Sequence, residues 1–176
     1  MDLGPVDRIT ADAIGEPGSR TFYLQARHGT DVVTLIVEKQ QVQLLAASVL
    51  DLLASIGLET GTGPDEDAME LEEPIAPRWR AGRLSIGYEQ DRDLFLLEVE
   101  ELRPDLDELE EDDPQRLLAD EPEELRLWAT REQMFALSRH SAAVAERGRP
   151  TCQFCGNPLD PEGHTCPAMN GHPKRT

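Results

Sequence analysis

TLIVEKQQVQLLAASV, residues 34–49, and RLWATREQMFALSRHS, residues 126–141, are the two passages whose reading decides the fold. Each begins as an apolar strand and passes into a pattern of apolar residues three and four apart, the period of a helix packed by one face. Set 92 positions apart, they match Leu35 with Leu127, Lys39 with Arg131, Gln41 with Gln133, Val42 with Met134 and Leu45 with Leu137. In both, the first helical turn reads base, any residue, glutamine, apolar residue.

Upstream of each helix stand three strand-like runs separated by turn signals. The first set is DRITADAI (7–14), RTFYLQARHG (20–29) and DVVTLIV (31–37), followed by a helix over 38–56. The second is RWRAGRLSIGY (78–88), DLFLLEVEEL (93–102) and ELRLWA (124–129), followed by a helix over 131–147. The fold class is therefore α+β: two βββα units, related by internal duplication, forming one antiparallel-sheet body. Three antiparallel strands leave an apolar face that the following helix can cover. The first helix offers Val42, Leu45, Val49, Leu52, Leu53 and Ile56 for this, with Gly57 as its C-cap. The second offers Met134, Phe135, Leu137, Val144 and Ala145. GEPGSR (15–20) has the Pro-Gly centre of a type II turn and lacks the spacing of a phosphate loop.

The formal charge of −18 is concentrated in two places. Residues 59–73 hold seven acids and no base; residues 98–124 hold fourteen acids and two arginines. The rest of the chain sums to +1, so the acids read as self-repelling, solvated segments. This divides the chain into a first βββα unit at 1–58, an acidic linker at 59–73, a second unit at 74–149 with an acidic loop at 103–124, and a tail at 150–176. No clustered Lys/Arg stripe is present to neutralise phosphates, which disfavours nucleic acid as a partner. A protein partner with a basic surface suits the acidic loops better. No membrane span is evident, because VQLLAASVLDLLASIGL (42–58) is broken by polar residues in a helical pattern. MDLGPVDRIT (1–10) lacks the apolar core of a secretory signal, which leads to the expectation of a cytoplasmic protein. An exposed sheet edge would allow homo-oligomer formation.

All three cysteines fall in CQFCGNPLDPEGHTC, residues 152–166. Cys152 and Cys155 have the C-x-x-C spacing that puts two thiolates on one turn, and Gly156 lets the backbone curl behind them. Pro158 and Asp160-Pro161-Glu162-Gly163 then reverse the chain and return His164 and Cys166. Cys152, Cys155, His164 and Cys166 make a Cys3His shell, with His172 as the alternative to His164. Soft thiolates select zinc, and four protein ligands leave no open position, so the zinc is structural. The short tail has almost no core, and metal binding would supply most of its folding energy. A clustered, odd number of cysteines suits a reducing compartment better than a disulfide framework.

No catalytic constellation is legible, and none of the G-x-S-x-G, HExxH or dinucleotide-binding fingerprints occurs. His28, at a hairpin turn, and His140, on a helix face, read as surface residues. A non-catalytic, zinc-binding adaptor or regulatory protein is the leading reading. Its alternative is a small-ligand-binding protein or enzyme using a groove between the units. Glu16, Arg20, Arg27 and Arg83 are the candidate contacts for a ligand or partner.

GEPGSRTFYLQAR (15–27), LIVEKQQVQLL (35–45) and RPTCQFCGNPLDPEGHTCPAMNG (149–171) resemble an actinobacterial family of about this length, known only as a domain of unknown function. The resemblance implies a GC-rich host and a C-terminal zinc-knuckle-like motif at Cys152, Cys155, His164 and Cys166. Fifteen arginines against two lysines agree with such a host. No activity comes with it.

Overall fold

The computed structural model describes residues 1–103, 121–148, 151–157, 159, 164 and 166–169. Its strands are β1 (Asp2–Pro5), β2 (Arg8–Ile14), β3 (Thr21–His28), β4 (Asp31–Val37), β5 (Pro77–Glu89), β6 (Leu94–Glu101) and β7 (Glu124–Ala129); its helices are α1 (Lys39–Ile56) and α2 (Arg131–Glu146). The class is α+β, and the order βββα occurs twice.

The sheet has seven strands in the order β1-β7-β6-β5-β4-β3-β2. It is mixed, which corrects the antiparallel body expected from the sequence: β4 pairs β5 in parallel, and so does β7 with β1. The reason is topological. β4 runs into α1, a crossover that returns the chain to the sheet as β5 in the direction it left, whereas β1 meets β7 from the opposite end of the chain. β1 was also missed, since its DLGP sequence carries no strand pattern.

The two ends of this order are consecutive in the chain. Only Val6 and Asp7 separate β1 from β2, and their amides donate to Trp128 O on β7 and Arg27 O on β3, both at 2.8 Å. The sheet therefore returns on itself, with β1 and β2 acting as one bent strand. That bent strand corresponds to β5. Gln41 Nε2 donates to Ala81 O and Gly82 O of β5, at 3.2 and 2.6 Å, while Gln133 Nε2 donates to Val6 O at 2.9 Å. Each glutamine also accepts the amide three residues before it, Glu38 N at 2.7 Å and Thr130 N at 2.9 Å, closing the start of its helix. The ends of the order are linked in this way, and α2 packs against β2.

One face of the sheet supplies the core. Cross-strand pairs set Leu24 beside Ala11 and Leu35, and Leu97 beside Ile86 and Leu127. Val42, Leu45, Ala46 and Val49 of α1 and Met134, Leu137 and Val144 of α2 close over them, all buried. Burying a large apolar side chain stabilises the fold by roughly 1.5–3 kcal/mol. The α1 stripe runs as its periodicity predicts, and Gly57 ends the helix in the left-handed region at φ +67°.

The acidic segment after α1 is held against the sheet. Its 3-10 turn, Glu66–Met69, buries Met69 and receives Thr10 Oγ1 on Met69 O. Gln25, 1% exposed, donates to Thr34 Oγ1 and Glu72 O, both at 3.0 Å, and accepts from Glu72 N at 2.7 Å. Glu72 pairs with Arg27 at 3.2 Å and Arg8 at 3.5 Å. Glu72 is thus a partner of β2 and β3, in a segment that sequence reasoning placed as a solvated linker, while Glu59, Asp65, Asp67, Glu70 and Glu73 are exposed. Most of the second acidic run, 103–124, lies outside the described residues.

Candidate metal centre

After α2 the chain reaches Thr151 and turns back on itself: Gly156 N donates to Cys152 O and Cys152 N to Asn157 O, both at 2.8 Å. Gly156 has φ +72°, the left-handed conformation that the turn requires and that glycine adopts without strain. This curl sets Cys152 and Cys155 beside His164 and Cys166, with one donor atom of each inside a span of 4.8 Å. Cys152 and Cys166 are buried, and all three thiols are free.

The spacing fits a four-coordinate metal. Metal–sulfur bonds of about 2.3 Å in a tetrahedron separate two sulfurs by about 3.8 Å. Cys152 Sγ and Cys166 Sγ are 3.8 Å apart, and Cys155 Sγ lies 3.2 Å from His164 Nε2. The amides of Phe154 and Cys155 aim at the Cys152 sulfur and hold its thiol below the ordinary cysteine range. The Asn157 amide pulls Cys155 the same way, but burial and the neighbouring Cys166 and Cys152 sulfurs push it upward on balance. Thiols this close resist ionising together, and a bound dication relieves that conflict. These four residues could hold a metal ion.

A family model for proteins of unknown function, DUF3090, matches residues 1–166, ending on the last of the four donors. The chain belongs to the DUF3090 family. The match spans both βββα halves, the acidic strap and the whole Cys/His group. Comparisons with curated proteins and with solved structures find no match. Among the described residues, no helix of this DUF3090 chain is long and apolar enough to cross a membrane.

The other residues singled out from the sequence scatter. Arg20 lines a cleft of about 400 Å³ together with Lys39, Arg80 and Thr151. Glu16 sits in the adjoining turn, where its carbonyl accepts Ser19 N at 2.9 Å and Gly18 takes φ +98°, as a type II turn demands. Arg27 is paired with Glu72 and Asp7, and Arg83 with Glu100. His172 lies outside the described residues. His28 is exposed, with Nδ1 2.9 Å from Pro5 O.

His140 was read wrongly as a surface residue. It is 3% exposed, with Nδ1 2.8 Å from Glu66 Oε1 and Nε2 3.5 Å from Asp12 Oδ2. Burial alone would lower its pKa, but the Asp12 and Glu66 carboxylates outweigh it and raise it. The signal was available: positions 137, 140, 141 and 144 recur at helical spacing, and all four are buried. For Lys39 and Arg80 no local signal existed, because they meet only through the β4–β5 pairing.

Proposed function

We propose that this is a zinc-binding protein whose metal is structural and whose work is non-catalytic binding of a protein partner, as an adaptor or regulator. The observation that carries the reading is the set of four protein donors within 4.8 Å. Four such ligands complete a tetrahedral shell and leave no position for water or substrate, as catalytic zinc requires. Three sulfurs and an imidazole are the soft set that favours zinc over magnesium or calcium. Bound there, zinc closes the C-terminal segment and holds it against the end of the body.

The partner half of the reading rests on charge. The acids of the 59–73 strap are partly spent on Arg8, Arg27 and His140, and Glu98, Glu100, Glu101 and Glu124 are paired with arginines, but residues 98–124 still carry fourteen acids against two arginines of their own. A net charge of −12 in one run draws a basic surface by steering that falls off over a Debye length of about 8 Å at physiological ionic strength. Reduced, clustered thiols support a cytoplasmic site, and the arginine excess supports an actinobacterial host. The matching roles of Gln41 and Gln133 support internal duplication as the origin of the two halves.

The test is affinity capture from host lysate with the full chain at low and high salt. A companion variant changes the seven acids between residues 105 and 113 to their amides. A partner retained at low salt, and lost with salt or with neutralisation, supports the reading. Equal capture under all conditions would remove the acidic run from it.

A further inference from the structure

We propose that the cleft at the start of α1 binds a small organic molecule carrying a phosphate group, held by Arg20, Lys39 and Arg80. The argument comes from comparing the two halves of the fold at equivalent positions. Phe22 of β3 pairs with Ala13 and Val37; Phe95 of β6 pairs with Tyr88 and Ala129. These registers make Phe22 the counterpart of Phe95, and Arg20 the counterpart of Asp93. At the first position of the helices, Lys39 is the counterpart of Arg131.

In the second half this place is closed by the protein's own carboxylate. Arg131 Nε meets Asp93 Oδ1 at 2.8 Å, and Tyr88 Oη donates to the same oxygen at 2.6 Å. Arg131 also reaches Glu59 O, just beyond the end of α1. In the first half the carboxylate is replaced by a second cation, Arg20, and the tyrosine by Ala13. The residue 92 places after Glu59 is Thr151, which lines the cleft. The phenylalanine, the base at the helix start and the residue facing it recur, while the anion and its tyrosine do not.

The cations are arranged as if that anion were to come from outside. A Cβ placed on Gly148 would stand 3.2 Å from Arg20 Nη2 and 3.3 Å from Lys39 Nζ, so both heads converge on one point. Arg20 is fixed there by donating Nη1 to Val144 O at 2.8 Å and by lying 5.1 Å from the Phe22 ring centroid. Among the described residues neither Arg20 nor Lys39 has a carboxylate partner, in a protein with 35 acids. Arg80, from the strand parallel to β4, completes the group and is paired with Glu38. The three bases and one acid leave two positive charges, and the positive end of the α1 dipole adds to them. That matches a phosphate dianion better than a single carboxylate, and the arginine fork suits its oxygens. Phe22, Ile36 and Val37 supply an apolar wall for the organic part, in a volume of about 400 Å³.

The full-length protein is titrated calorimetrically with phenyl phosphate, inorganic phosphate and benzoate at matched ionic strength. One phenyl phosphate binds per chain, more tightly than inorganic phosphate, and benzoate binds weakest. Lys39→Ala, at an exposed position, weakens phenyl phosphate binding by about tenfold or more and leaves ligand-free melting unchanged. Arg20→Asp supplies Lys39 with the carboxylate that Arg131 already has, and abolishes binding. Lack of binding by either phosphate, undiminished binding by folded Lys39→Ala, or benzoate binding as tightly as phenyl phosphate would overturn the assignment. Inorganic phosphate binding as tightly as phenyl phosphate would overturn its organic part.

Discussion

The Ser138 hydroxyl donates to Ala46 O at 2.7 Å, and these residues stand 92 positions apart, the interval that also relates Gln41 to Gln133. α1 and α2 thus touch at equivalent points, with a small residue on each side so that the helices approach closely. Ser138 is fully buried. Ser138→Ala removes one buried hydrogen bond and costs about 1 kcal/mol, while Ser138→Leu overpacks the contact and costs about 1–3 kcal/mol or more. Urea denaturation of the two variants checks both the size and the order of the effects.

The acidic strap depends on Gln25. Its side chain satisfies both Glu72 backbone groups and Thr34, so Gln25→Ala leaves buried polar atoms without partners. A loss of about 2–4 kcal/mol is expected, accompanied by faster proteolysis within residues 59–76. Fragments mapped by mass spectrometry should begin or end in that interval. Cleavage elsewhere first would contradict the strap.

His140 gives the stability a pH dependence of known sign. The groups facing it are Asp12 from β2 and Glu66 from the 3-10 turn, and Arg147 lies 3.5 Å from the same Glu66 oxygen. Its pKa is raised on folding, so its contribution is complete below the ordinary histidine value of about 6.5 and is lost as pH rises through the folded value. For Asp12, burial works against the charged form, but His140 and the Ala13 amide lower its pKa overall. Its contribution is lost only as pH falls through the carboxylate range. His140→Asn should therefore destabilise by about 2 kcal/mol at pH 6 and by less at pH 8. An equal or larger loss at pH 8 would refute the assignment.

The strands and helices were legible because their burial is one-sided and periodic. β4 and β7 were bounded correctly at 31–37 and 124–129, the first as a continuous run of apolar and β-branched residues, the second by Leu125, Leu127 and Ala129 alternating with less buried neighbours. β1 was not legible, since Asp2–Pro5 owes its strand conformation to pairing with residues 126–128 across the whole chain. The strap was misread because its anchors are backbone groups bonded to Gln25 and Thr10, and one buried methionine. The Cys/His group was legible because ligand chemistry fixes local spacing. The basic cleft was not, because Arg20 and Lys39 are brought together by the folding of the first half and Arg80 joins them only through the β4–β5 pairing.

The metal-to-protein ratio of the purified full-length chain, measured by elemental mass spectrometry beside Cys152→Ser and His164→Ala, tests the central claim most directly. The account predicts one zinc per chain in the native protein. It predicts strong loss in both variants, with lowered thermal stability as the short tail loses the metal that organises it. A native protein purified without zinc, or zinc retained in full by Cys152→Ser, would contradict it.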